Sequence, residues 1–111
     1  MQSLKRGDVW WVSFAPSVGG EIRKTRPAVI VSNNAANAML NRVVVVPLTS
    51  RTGKVYPGDV LVHVEGREAK AMGSQITTVA IERLQNQMGV LSPADLRAVE
   101  DAILLHLGIR R

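Results

Sequence analysis

Arg42-Val43-Val44-Val45-Val46-Pro47-Leu48 is the stretch that decides the fold. Four consecutive valines leave no polar position to face water, so the run predicts a strand buried on both faces. The segments around it read as its partners. Upstream, Asn33 to Asn41 is rich in Asn and Ala and predicts a short helical turn. Before that, Pro27 to Ser32 predicts a second strand, with Pro27 at its start, where a missing N–H is tolerated. Earlier still, Val9 to Phe14 combines aromatic and β-branched residues in a strand pattern. Ala15 to Arg26 breaks that pattern with Pro16, Gly19, Gly20 and then a basic cluster.

Downstream, Ser50 to Pro57 is a loop by composition. Asp59 to Glu65 alternates around Val60, Val62 and Val64, the pattern of a half-buried strand. Met72 to Ile81 predicts a further strand, interrupted by Gly73 and polar residues, and Gln87 to Leu91 a last short one. The chain then changes period. Ser92 is a capping residue, Pro93 suits the first helical position, and Asp95 lies three residues after the cap. Leu96, Val99, Ala102, Ile103 and Leu107 recur on one helical face, and Gly108 is placed to end the helix. Several short strands and one amphipathic helix imply a mainly β fold. The expected form is a small twisted sheet or partly open barrel, with the helix over an open side.

The chain has 111 residues, which suits one domain with a real core. It has no cysteine, so disulfides, thiolate metal sites and cysteine nucleophiles are excluded. No apolar run approaches the ~20 residues of a membrane span, and the start lacks the apolar core of a secretory signal. A cytoplasmic protein without membrane association is expected. The formal charge is +5, and it is unevenly placed. Residues 1–56 hold eight Lys/Arg and two acids, whereas residues 57–111 hold six basic and seven acidic residues. The first half thus carries the whole excess, which favours a polyanionic partner.

The histidines, His63 and His106, have no spacing that brings them together, and the carboxylates show no metal-ligand spacing. Glu65 and Glu68, around Gly66 and Arg67, read as a solvated turn. Arg97, Glu100 and Asp101 read as an exposed helix face. Two polar loops stand out beside the apolar strands: Gly20 to Pro27 and Leu48 to Pro57. They supply Arg, Lys, one carboxylate, hydroxyls and a tyrosine. Metal-free RNA cleavage needs such a set: a base for the ribose 2′-OH, fixed positive charge for the pentavalent intermediate, and a donor for the leaving oxygen. Composition alone favours the plainer reading, two solvated basic loops.

Ordered blocks along nearly the whole chain resemble the MazF/PemK-like toxin family of type II toxin–antitoxin systems. They are Arg6-Gly7-Asp8-Val9-Trp10-Trp11-Val12, then Phe14, Pro16, Gly19 and Glu21, then Arg26-Pro27-Ala28-Val29-Ile30-Val31-Ser32-Asn33 with Asn37. Val46-Pro47-Leu48-Thr49-Ser50, Tyr56-Pro57, Gln75, Glu82-Arg83-Leu84 and Gly89 follow in order. The resemblance implies an SH3-like, CcdB/PemK-like barrel with a C-terminal helix, residues 1–111 forming one toxin domain that works as a homodimer. It implies an endoribonuclease that cuts single-stranded RNA, chiefly mRNA, at short sequences without metal or other cofactor. Growth arrest and inhibition by a MazE-like antitoxin are implied as well. By position, Arg26 and Thr49 match the family's catalytic Arg and Thr, and Glu21 matches an acidic residue of the same loop.

On this reading Arg26 clamps the scissile phosphate, and Thr49 with Ser50 hydrogen-bonds a phosphate oxygen. Glu21 is the nearby proton acceptor, although a free carboxylate is a weak base at neutrality. Arg23, Lys24, Arg51 and Lys54 bind flanking phosphates, and Gln75 joins the RNA-binding set. Ser74 and Ser13 stand where the family often has Asp. Trp10 and Trp11, being adjacent in a strand, face opposite sides. One belongs to the core, and strand packing is the default for the other, with base stacking as its functional alternative. Two competing functions stay open: a CcdB-like toxin acting on DNA gyrase, and a nucleic-acid-binding module without catalysis.

Overall fold

The structure is a computed structural model that describes residues 3–16, 18–21 and 24–110. Its trunk is the valine strand. Strands β1 (Asp8–Ser13) and β2 (Thr25–Ile30), helix α1 (Asn34–Met39) and strand β3 (Arg42–Thr49) come first. Strands β4 (Asp59–Val64), β5 (Arg67–Met72), β6 (Thr77–Ala80) and β7 (Leu84–Val90) follow, then helix α2 (Pro93–Leu107). Short 3-10 turns at Gly73–Gln75 and Ile81–Arg83 flank β6. The sheet runs β4-β5-β3-β2-β1-β7, all antiparallel, with β6 added on β3.

β3 has β2 along one edge and two partners in turn along the other. Arg42 to Val45 pair with β6, and Leu48 and Thr49 pair with β5. Pro47 falls in the gap between these ladders, where a ring without an N–H breaks no ladder bond. The strand is buried on both faces, as its valines predict. Val46 and Leu48 join Val9, Val29, Val62, Val64 and Val99 in one cluster. Val43 and Val45 join Trp10, Val12, Ala28 and Ile30 in the other. Alternate residues of β1, β2 and β3 thus feed opposite cores, as period-2 side chains must. Each fully buried Val contributes about 1.5–3 kcal/mol relative to an exposed one.

The partial barrel is covered on one side by α2. Ser92 Oγ accepts from Asp95 N at 3.1 Å, Pro93 opens the helix, and Gly108 closes it in the left-handed conformation. The Asp95 carboxylate also accepts the His63 backbone N–H at 2.8 Å, which ties the helix start to β4. Val99 and Ala102 are buried, and Leu96 and Ile103 pack against the core. Leu107, expected on this face, is instead 53% exposed. Glu100 is not merely surface: it pairs with Arg6, whose Nε also donates to Val31 O at 2.9 Å.

The stretch from Met72 to Ile81 is not one strand. The chain turns at Gly73–Gln75 before β6 begins at Thr77. β5, whose only inward residues between Glu68 and Met72 are the small Ala69 and Ala71, forms because Glu65 and Gly66 fold it back on β4. Both have positive φ (52° and 75°), the geometry of a two-residue hairpin turn between Val64 and Arg67.

Candidate active site

The site begins with Pro27. Val31 N donates to Val44 O at 2.9 Å, and antiparallel alternation puts the next hydrogen-bonded levels at Val29/Val46 and Pro27/Leu48. Pro27 has no N–H to give. The β2–β3 pairing accordingly ends at Ala28↔Pro47. Arg26 and Thr49 each lie two residues beyond that last pair on their strands. A hollow of about 280 Å³ opens there. Arg26, Thr49, Ser50, Arg67 and Glu68 provide its polar lining, and Trp11, Leu48, Val64 and Met88 its apolar wall.

Thr49 is 8% exposed, and its Oγ1 accepts the Arg51 backbone N–H at 3.2 Å. With that lone pair engaged, its O–H is left to donate into the hollow. Arg26 is half-buried and pairs with Val12 of β1. A planar guanidinium beside two hydroxyls suits a phosphate, which accepts several hydrogen bonds and carries charge. Lys24 is exposed with φ of 68°, and its carbonyl accepts Phe14 N at 2.9 Å. This left-handed residue turns the chain into β2 just before Arg26. Arg51 and Lys54 are exposed on the loop after β3. The Lys54 carbonyl accepts from Lys70 Nζ at 2.7 Å, which pins that loop to β5. Arg23 lies outside the described residues.

Glu21 and Gln75 line a second hollow of about 300 Å³, with Ser74, Thr78 and Arg83. Glu21 Oε1 accepts Val18 N at 2.7 Å, and Gln75 Nε2 donates to Gly20 O at 3.2 Å. Arg83 Nη1 donates to Ser13 O at 3.1 Å and also to Ala15 O. These bonds hold the loop after β1 against the Gly73–Gln75 and Ile81–Arg83 turns. The carboxylate expected beside Arg26 therefore borders the neighbouring hollow.

The two tryptophans do face opposite ways. Trp10 is 4% exposed in the core, and its indole N–H is buried with no hydrogen-bond partner among the described residues. Trp11 is half-buried and forms a wall of the Arg26–Thr49 hollow. Arg67 and Glu68 are the residues that sequence reasoning missed. They read as a solvated turn because only the return strand of the hairpin carries them to the hollow.

Fold and site define a half-open antiparallel barrel with a cationic, hydroxyl-lined mouth. The chain belongs to the PemK-like, MazF-like toxin family of type II toxin-antitoxin systems, whose model matches residues 5–107. It is 39% identical over 115 residues to the endoribonuclease MazF9 of Mycobacterium tuberculosis, covering 96% of this chain and 98% of that one. An endoribonuclease from a mycobacterial species superposes with a TM-score of 0.83 at 26% identity, over 100% of this chain and 97% of that one. A mycobacterial endoribonuclease solved with its cognate antitoxin gives 0.80 at 25% identity, over 100% and 99%. No helix among the described residues is long and apolar enough to cross a membrane.

Proposed function

We propose that this toxin is a metal-independent endoribonuclease that cuts single-stranded RNA, chiefly mRNA, at short sequences and so arrests translation and growth. The convergence of Arg26 and Thr49 on one hollow, just beyond the last β2–β3 pair, carries this reading. In the reaction the ribose 2′-oxygen attacks the adjacent phosphorus, and the 5′-oxygen leaves. Arg26 clamps the phosphate and offsets the charge that builds on its equatorial oxygens. Thr49 and Ser50 donate to a phosphate oxygen. Lys24, Arg51 and Lys54, with Arg23, hold flanking phosphates. Glu21 and Gln75 line the neighbouring hollow, where the strand continues past the cut.

The whole chain acts as one toxin domain, in the cytoplasm and as a homodimer; family membership supports these points. The relative solved with its antitoxin supports a MazE-like partner here too. An acidic extended segment would be drawn to the same basic mouth and block it. Incubation of the purified protein with a long RNA, with and without a chelator, tests the reaction. Cleavage at defined sites in both conditions is expected, with a loss of about 10²–10³-fold in Arg26→Ala. Binding without scission would support the non-catalytic module instead, and gyrase inhibition with intact RNA the CcdB-like reading.

A further inference from the structure

We propose that Glu68 is the group that takes the proton from the attacking 2′-hydroxyl; this rests on the RNA-cleaving reading above. Among the described carboxylates it is the one that lines the hollow holding Arg26 and Thr49. Five of the other acids are engaged elsewhere. Asp8 accepts Lys5 N, Asp59 accepts Tyr56 N, and Asp95 accepts His63 N. Glu100 pairs with Arg6, and Glu21 accepts Val18 N in the second hollow. Ser74 carries no carboxylate and borders that second hollow too.

Strand register places Glu68 usefully. Thr49 is directly opposite Lys70 in the β3–β5 ladder. Glu68 lies two residues before Lys70 on β5, so alternation puts it on the same side of the sheet as Thr49. Such diagonal neighbours lie about 7–8 Å apart, close enough for a hydroxyl and a carboxylate to reach one bound nucleotide. Across the hairpin Glu68 is paired with His63. Arg26 and Arg67 line the same hollow, so a phosphate approaching the carboxylate meets two cations as well. Glu68 itself is exposed and free to turn toward a bound ribose.

The step balances without a co-reactant. The 2′-O–H bond breaks, and its proton passes to a Glu68 carboxylate oxygen. The 2′-oxygen bonds to phosphorus, and the P–O5′ bond breaks to leave a 2′,3′-cyclic phosphate. The 5′-oxygen takes a proton from water at the open mouth, and Glu68 later returns its proton to solvent.

Single-turnover cleavage of a defined RNA tests this, alongside binding of the same RNA with 2′-deoxyribose at the scissile nucleotide. Glu68→Gln should slow cleavage about 10²-fold or more while deoxy-RNA binding stays within about threefold. Glu68→Asp, which keeps a carboxylate one methylene further back, should recover part of the rate. Glu65→Gln, a neighbouring acid outside the hollow, should cleave as wild type does. Equal rates for Glu68→Gln and wild type would overturn the assignment, as would a rate loss matched by lost binding. A wild-type chain that leaves RNA intact would refute the nuclease reading, and this assignment with it.

Discussion

Gly73→Ala tests how the site-bearing strands are held. Gly73 N donates to Gly58 O at 2.8 Å, just where β5 turns under α2. A Cβ at Gly73 would stand 2.5 Å from that same Gly58 carbonyl oxygen, with Ala102 Cβ at 3.6 Å on the helix side. The oxygen is backbone, so no rotamer change relieves the contact. The two segments must separate by about 0.5 Å merely to reach the closest approach that real Cβ atoms show. Gly58 resists, because it already has φ of 94°. Overpacking costs about 1–3 kcal/mol, and losing the hydrogen bond costs about 1 more. Restricting the unfolded chain returns about 0.4–1 kcal/mol. The net is a loss of about 1–3.6 kcal/mol, or a drop in Tm of roughly 4–14 °C for a domain of this size. Thermal melting followed by circular dichroism reads it directly. Gly53→Ala is the control, because a Cβ there meets nothing within 4 Å. If Gly73→Ala melts within about 2 °C of wild type, the close approach and the reasoning from it are wrong.

Replacing the adjacent tryptophans should separate stability from RNA binding. Trp10→Ala should cost about 3–5 kcal/mol of stability in urea denaturation. Trp11→Ala should instead weaken uncleavable RNA about 5- to 150-fold, the worth of one stacked base. Lys24→Ala, Arg51→Ala and Lys54→Ala should each flatten the slope of log affinity against log salt by about 0.7, measured by fluorescence anisotropy; unchanged slopes would remove them from the phosphate path. Glu65→Asn should raise stability by about 0.5 kcal/mol, because Asn tolerates the left-handed conformation that the hairpin turn imposes there. A lower melting temperature for that variant would show that the Glu65 side chain, which lies against Gly89, contributes more than its backbone costs.

Much of the fold was legible because its causes are local. The valine run had nowhere to place a solvated face, so a doubly buried β3 followed from composition. Ser92, Pro93 and Gly108 set both ends of α2 through groups within a few residues of them. Pro27 and Thr49 were visible as motif residues, but their consequence was not. A strand's hydrogen-bonding phase depends on its partner's register, and only that register makes Pro27 the end of the ladder.

The sequence by itself thus determined the strand-rich class, the capped helix and the basic first half, and its resemblance to a family singled out Arg26 and Thr49. Tertiary structure decided what surrounds that pair. The Glu65-Gly66 turn carries Arg67 and Glu68 back to the mouth along a strand whose inward residues are small alanines. Hydrogen bonds from Gln75 to Gly20 and from Val18 to Glu21 settle that loop, and Glu21 with it, at the neighbouring hollow. The order of strands chooses Trp10 for the core and Trp11 for the site, and the end of the sheet leaves Leu107 exposed. In each case the deciding contact joins segments distant in the chain, or depends on a register that no single segment encodes. Side-chain periodicity tells which residues share a face of one strand; pairing between strands tells which of those faces meet.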